Sequence, residues 1–152
     1  MVVVSGRERP TCPECAWTYF PDPKFAVAVL VEKKGRVLLV QRAMRPGQGR
    51  WTIPAGFLDA GEDPMEAGIR ECFEETGLNI KISKLLDVIS IREHDRGAHI
   101  VILYRGEIVA GDLIAGDDAD DVAFFSRQDL PPLAFSSTES ILLDYPESMD
   151  AN

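Results

Sequence analysis

Three glutamates lie close together in one short segment of the chain, where they could bind a metal ion. Glu71, Glu74 and Glu75 are separated by steps of three and four residues, so their carboxylates would be near neighbours on a helix. Clustered carboxylate oxygens suit a hard cation such as Mg²⁺ or Mn²⁺, which also accepts water and substrate phosphate as ligands. The spacing therefore allows a metal site, but from the spacing alone a solvated acidic face, which is what most charge runs are, is favoured.

A helix must position these glutamates, and the local sequence predicts one with defined ends. Asp63 is a good N-cap, Pro64 suits the first helical position, and Glu66 completes an Asp-x-x-Glu capping box. Gly77 stands where a left-handed C-cap residue is required. The helix is thus expected to begin after Asp63 and to end before Gly77.

The helical period assigns a face to each residue of this segment. At about 100° per residue, the small residues Ala67 and Gly68 lie on the glutamate side, where they would let a bulky group approach. Five other residues share the opposite face and are expected to be buried: Met65, Ile69, Cys72, Phe73 and Thr76.

The segment 56–78 resembles the signature of the Nudix hydrolases, Gly-x5-Glu-x7-Arg-Glu-U-x-Glu-Glu-x-Gly-U, where U is a bulky aliphatic residue. Eight positions match: Gly56, Glu62, Arg70, Glu71, Glu74, Glu75, Gly77 and Leu78. Two features differ, since Cys72 stands where an aliphatic residue is usual and Pro54-Ala55-Gly56 replaces the commoner Pro-Gly-Gly. A buried free cysteine behaves as a small hydrophobic residue, so the first difference is mild.

The resemblance implies a hydrolase that uses water and Mg²⁺ or Mn²⁺ to cleave the pyrophosphate bond of a nucleoside diphosphate linked to another group. It implies one set of metal ligands: the side chains of Glu62, Glu71, Glu74 and Glu75 and the backbone carbonyl of Ala55. Arg70 is expected to orient the glutamates through charge-assisted hydrogen bonds rather than to touch the substrate. A Nudix domain that binds a nucleotide without cleaving it is the alternative.

The resemblance leaves more than one candidate for the general base. Glu71 could take the proton from water, and so could Asp118 in the acidic loop 117–121, although a solvated turn is the alternative for Asp118. Glu93 and Asp95 are weaker candidates.

Three residues are expected to contact the substrate. Arg42, at a strand end, could hold a phosphate through two parallel hydrogen bonds. Gly56 and Phe57 adjoin the glutamates, and Phe57 is one of several aromatic residues that could stack on a base.

The chain most resembles the ADP-ribose pyrophosphatase-like group of this family, so an ADP-ribose-like substrate is favoured. Clean-up of nucleoside triphosphates, as by MutT, is the alternative activity.

A Cys-x-x-Cys pair near the start of the chain has the spacing of one zinc knuckle. Structural zinc takes four ligands, and the chain offers no second pair to join Cys12 and Cys15. Some Nudix relatives carry a four-cysteine ribbon at this place, and the pair resembles its second half. A remnant without metal is favoured, and zinc completed by a partner chain is the alternative.

Composition narrows the classes of partner. The 152 residues include 25 acidic and 16 basic side chains, which gives a net charge of −9 and argues against nucleic acid polymers as partners. No apolar run approaches the ~20 residues that span a membrane, and three cysteines without a framework spacing indicate a reducing cytoplasm. Exposed aromatic residues near the N-terminus make a homodimer plausible.

The rest of the chain predicts an α/β (α+β) fold, a mixed sheet between two helices, as in the α/β/α sandwich that the resemblance implies. Residues 1–24 are expected to be irregular, 25–145 to form the Nudix domain, and 146–152 to be a tail. Strands are expected at 25–31, 36–40, 51–53, 82–92, 98–109 and 122–125, with a tight turn at 93–97. A short helical turn at 126–130 and a final helix to about Asp144, capped by Ser136 or Ser137, complete the prediction.

Overall fold

The computed structural model describes residues 1–92 and 97–147. Glu93 and Asp95, most of the predicted turn at 93–97, and residues 148–152 of the predicted tail lie outside the described residues. The described elements, in chain order, are β1 (Val2–Val4), β2 (Arg7–Arg9), β3 (Phe25–Lys33), β4 (Arg36–Arg42), β5 (Trp51–Thr52), β6 (Ala55–Phe57), α1 (Pro64–Thr76), β7 (Leu78–Ser90), β8 (Ile100–Gly111), β9 (Ala119–Ser126) and α2 (Ser136–Asp144).

Seven of these strands form one mixed sheet. Its main path runs β5-β4-β3-β8-β7, while β6 pairs with β3 and β9 pairs with β4. Strands β3 and β8 are parallel, and the other pairs in this sheet are antiparallel. The predicted fold class is therefore confirmed.

Alternation along β3 divides the core between the two helices. Val29 packs in a cluster with Cys72 of α1, while Leu30 packs in a second cluster with Ile141 of α2. Successive strand residues point to opposite faces of a sheet, so α1 and α2 cover opposite faces, as predicted.

Helix α1 has the ends that its sequence predicts. The carboxylate of Asp63 accepts hydrogen bonds from the backbone N–H groups of Met65 (2.9 Å) and Glu66 (3.2 Å). Gly77 has φ +74°, and its N–H donates to the carbonyl of Phe73. Both ends are determined by residues within one turn of the helix.

The predicted buried face of α1 is partly wrong. Met65 and Phe73 are 44% and 50% exposed, whereas Ala67 and Gly68 are buried. A Cβ at Gly68 would lie 3.1 Å from side-chain carbons of both Val27 and Val29. The small residues therefore let the helix lie close to β3, rather than leave room for a ligand, and this contact turns the glutamate side toward the sheet.

Several strand and helix boundaries differ from the predicted ones. Strand β7 begins at Leu78, directly after the C-cap, because it pairs with β8 along its full length. The predicted helical turn at 126–130 is wrong, because Ser126 ends β9 and residues 127–129 form a turn. Helix α2 has Phe135 as its N-cap with no side-chain cap hydrogen bond, so the predicted serine cap is wrong. In the part of the chain that is described, neither helix is long and apolar enough to cross a membrane.

The N-terminal module, residues 1–24, is not wholly irregular. Strands β1 and β2 form an antiparallel hairpin joined at Ser5 and Gly6, whose φ angles are +52° and +75°. Two successive residues with positive φ form the turn that best fits the twist of a hairpin. The run of valines before a Ser-Gly pair was the signal for this hairpin.

Candidate active site

Four carboxylates form an acidic cluster: Glu62, Glu71, Glu74 and Glu75. Arg70 lies at its centre and binds three of them. Its Nε and Nη2 donate to the two oxygens of Glu62 at 2.7 and 3.1 Å. Its Nη1 donates to Glu71 (2.9 Å) and to Glu74 (3.0 Å). Hydrogen bonding to Arg70 lowers the pKa of Glu62, and in return the Glu62 carboxylate raises the pKa of Arg70. The arginine thus neutralises part of the repulsion within the cluster and fixes its side chains.

Glu75 is a buried member of the cluster, with only 5% of its surface exposed. Its Oε2 accepts a hydrogen bond from the backbone N–H of Ala55 at 3.1 Å. Burial is the largest cause that raises the pKa of Glu75 to about 9, and the charges of Asp118 and Glu71 raise it further. A cation beside this group would favour its ionised form.

Gly56 makes room for the carboxylate of Glu71. A Cβ on Gly56 would lie 2.0 Å from Cδ of Glu71 and 2.2 Å from each of its oxygens. Strand β6 pairs with β3 and holds Gly56 opposite Val27. The glycine of the motif therefore has a direct steric reason, which is the approach of the helix glutamate to β6.

Asp118 is exposed and ends the loop directly before the first residue of β9. Its charge raises the pKa of both Glu71 and Glu75, after the larger effect of burial. The backbone carbonyl of Asp118 accepts a hydrogen bond from the N–H of Ala43 (2.9 Å), which ties this loop to the residue after β4. The structure thus brings Asp118 to the same cluster as the α1 glutamates.

The donor set of this cluster fits a hard divalent cation. The cluster consists of carboxylate oxygens, which are the ligands that such cations prefer. Glu75 is buried, and Glu71 fits against β6 because Gly56 has no Cβ. Within residues 1–92 and 97–147, no group of three or more acidic, cysteine or histidine side chains is already gathered in a geometry that could hold a metal ion. Arg70 and the Ala55 N–H donate to one oxygen of each glutamate of the cluster on α1, and Arg70 binds both oxygens of Glu62.

A cavity of about 700 Å³ adjoins the cluster on the α2 side of the sheet. Ala55, Gly56 and Phe57 of β6 line one end of it, and Phe135 and Thr138 of the α2 region line another part. Its size and largely apolar lining are those of a small-molecule site. The acidic cluster and the cavity therefore meet at β6.

Arg42 lines this cavity at the end of β4. Its Nε donates to the carbonyl of Pro46 (2.6 Å), and its guanidinium lies 5.1 Å from the ring centre of Phe135. Arg45 also lines the cavity, so two arginines face the space beside the acidic cluster. Phe57, half exposed, lines the cavity near Lys24.

Sequence reasoning missed the residues that create the cavity. Ala26 and Ala28 of β3 line the cavity, and their small side chains leave it open. Further along the same face of β3, the larger side chain of Leu30 packs in the core. Phe135 and Thr138 were missed as well. The signal was present in β3, whose residues alternate between valine and alanine before Leu30.

We expect Glu75 to make the metal-free protein less stable as the pH rises. Its pKa is about 9 in the folded state against an ordinary value of 4.5, so between these values the folded state binds the extra proton and the free energy of unfolding falls with increasing pH. Glu75→Gln should remove this slope. Thermal unfolding in EDTA from pH 5 to pH 9 measures it, with exposed Glu66→Gln as the control that should retain the slope of the unmodified chain. Parallel curves for the chain and Glu75→Gln would contradict the prediction.

Comparisons with known proteins agree with this geometry. The family model described as NUDIX domain matches residues 21–144. An ADP-ribose pyrophosphatase of Methanocaldococcus jannaschii is 40% identical over 124 residues, which cover 81% of this chain and 73% of the relative. The NAD-capped RNA hydrolase NudC of Pseudomonas aeruginosa is 30% identical over 123 residues, and the match spans only 43% of that longer protein.

A comparison with solved structures also finds a NUDIX hydrolase. A NUDIX hydrolase from Nitrosomonas europaea superposes with a TM-score of 0.80 at 30% identity, covering 88% of this chain and 76% of the other. The match to the family model covers most of the chain and includes the whole acidic cluster. The protein therefore belongs to the NUDIX family and is one of its pyrophosphohydrolase enzymes.

Proposed function

We propose that the protein hydrolyses the diphosphate bond of an ADP-ribose-like nucleotide with the help of Mg²⁺ or Mn²⁺. The observation that carries this proposal is the junction at β6 of the acidic cluster with an apolar cavity of about 700 Å³. The cavity offers space for a nucleoside, and the cluster offers ligands for the cation that a diphosphate requires. The 40% identical ADP-ribose pyrophosphatase supports the choice of substrate.

The carboxylates of the cluster would hold the cation. Glu71, Glu74 and Glu75 are the proposed ligands, with Glu62 and the carbonyl of Ala55 as additional ones. A bound Mg²⁺ or Mn²⁺ would neutralise diphosphate charge and lower the pKa of a coordinated water. Arg70 would act as a positioning residue, because its hydrogen bonds hold three of these carboxylates.

The chain's own residues would then bind the diphosphate and accept a proton. Arg42 and Arg45, which line the cavity, would donate hydrogen bonds to phosphate oxygens. A water oxygen attacks phosphorus, the bridging P–O bond breaks, and two phosphate monoesters leave. We assign the departing proton to a carboxylate oxygen of Glu71, because this carboxylate lies against Gly56 of β6, where the acidic cluster meets the cavity. Asp118, the other predicted base, would not accept this proton; its negative charge would act on the neighbouring Glu71 and Glu75.

A substrate panel tests this proposal. With Mg²⁺ or Mn²⁺ present, we expect ADP-ribose to give AMP and ribose 5-phosphate with the highest kcat/KM among ADP-ribose, NADH, nucleoside triphosphates and NAD-capped RNA. The net charge of −9 disfavours the RNA. Preferred turnover of triphosphates would favour the clean-up activity instead. Binding of ADP-ribose without turnover of any compound would favour a nucleotide sensor. We propose that this activity resides in the reducing cytoplasm, in keeping with three free cysteines.

A further inference from the structure

Cys12 and Cys15 lie on one tight turn of the N-terminal module. The N–H of Ala16 donates to the carbonyl of Cys12 (3.0 Å), and the N–H of Cys12 donates to the carbonyl of Trp17 (2.8 Å). Ala16 has φ +60°, a left-handed conformation that non-glycine residues rarely adopt. A bridge between Thr11 and Thr18 closes the turn. The turn is therefore a defined structure and not a loose loop.

Both sulfurs of this turn lie at the surface of the protein. Cys12 is partly exposed and Cys15 is exposed, so an ion can reach both side chains. A thiol loses its proton when it binds a metal ion. Cys72, by contrast, is buried in the core and belongs to helix α1.

We propose that Cys12 and Cys15 from two copies of this chain together bind one zinc ion. Structural zinc is held by four tetrahedral ligands, and one turn supplies two thiolates at the Cys-x-x-Cys spacing. Among the residues that the structure describes, no group of three or more potential ligands completes the site within one chain. A second, identical turn related by two-fold symmetry supplies the two ligands that are needed.

The charge of the module favours a second copy as the partner. Residues 1–24 carry three basic and three acidic side chains, so the net charge of −9 belongs to the rest of the chain. A contact between two such modules therefore brings no net like charge together at the contact itself.

Exposed apolar side chains around the turn point to the same contact. Trp17, Tyr19 and Phe20 are 62%, 45% and 49% exposed, and the Trp17 and Tyr19 rings lie 6.0 Å apart. Val3, in the adjoining hairpin, is 71% exposed. A cluster of large exposed apolar groups indicates an interaction surface, and the zinc site would bring two such clusters together.

Zinc binding at this site involves no redox change. Each of the four thiols loses its proton to the solvent, and four zinc–sulfur bonds form while zinc remains Zn²⁺. The site shares no residue with the acidic cluster, so the inference does not depend on the proposed substrate.

The test measures zinc content and molar mass of the full 152-residue chain under reducing conditions. We expect one zinc ion for every two chains and a dimer by light scattering. Cys12→Ser and Cys15→Ser should each lose the zinc and become monomeric, whereas Cys72→Ala, which alters a thiol outside the module, should keep both. Substitution of zinc by Co²⁺ should give the absorption bands of tetrahedral thiolate coordination.

Three results would overturn the inference. One is a monomer that contains one zinc per chain. Another is a reduced, zinc-supplied chain that binds no zinc. The third is a dimer whose mass and zinc content are unchanged in Cys12→Ser.

Discussion

Replacing Glu75 by glutamine is expected to lower kcat roughly 100-fold or more, a loss of the size seen when one charged or polar group of a reaction centre is removed. Glutamine has the shape of glutamate and can still accept the hydrogen bond from the Ala55 N–H, which measures 3.1 Å. It cannot supply the negative charge that a divalent cation requires. Turnover of ADP-ribose at increasing Mg²⁺ concentration measures the effect, and circular dichroism checks that the fold is retained.

Two further variants sharpen this prediction. Glu74→Gln removes a carboxylate that contacts Arg70 at 3.0 Å on the same helix, and it should also lower turnover by orders of magnitude. Glu66→Gln is the matched control, because Glu66 is an exposed glutamate of the first turn of α1. Its turnover should stay near that of the unmodified chain. Full activity in both Glu74→Gln and Glu75→Gln would remove the basis for assigning the metal to α1.

The ends of α1 could be predicted because local contacts determine them. Asp63 caps the N–H groups within the next three residues, and Gly77 takes a left-handed conformation one residue beyond the helix. Neither feature needs any information about the rest of the fold. The same locality explains why the motif could be recognised along the sequence alone.

The orientation of α1 could not be predicted from its own residues. Periodicity assigned Met65 and Phe73 to the core, but the packing of Gly68 against Val27 and Val29 decided the contact with β3. A glycine contributes no hydrophobicity to a helical pattern, yet it permits the closest approach of helix to sheet. The pattern therefore placed Cys72 and Thr76 correctly in the core, but it did not show that Ala67 and Gly68 also face the protein.

The cavity depends on long-range pairing that no single segment contains. Ala28 faces the space only because β3 lies between β4 and β8, and Phe135 reaches it only because α2 crosses that face. In the same way, Asp118 reaches the cluster through the pairing of β9 with β4. Sequence reasoning identified the acidic residues that the structure brings together and missed most of the residues that line the cavity.

Gly56→Ala is expected to lower turnover roughly 10- to 100-fold, as a displaced ligand does, while the protein remains folded. The new Cβ would lie 2.0 Å from Cδ of Glu71, so this carboxylate must move. The displaced group is the flexible end of a side chain, which limits the cost in folding stability. Its movement would break the 2.9 Å hydrogen bond from Arg70. Turnover, the Mg²⁺ concentration for half-maximal rate, and the thermal unfolding midpoint measure these effects.

A second change separates displacement of Glu71 from a general effect of the extra methyl group. Glu71→Asp shortens the side chain by one methylene, so the double variant Gly56→Ala/Glu71→Asp should be more active than the product of the two single losses. Gly106→Ala provides the structural comparison, because its Cβ would meet Val29 Cγ1 at 2.7 Å and Ile80 Cδ1 at 2.9 Å inside the core. That variant should lower the unfolding midpoint without changing the Mg²⁺ requirement. Strictly multiplicative losses in the double variant would mean that Gly56 acts on catalysis by some route other than the space it leaves for Glu71.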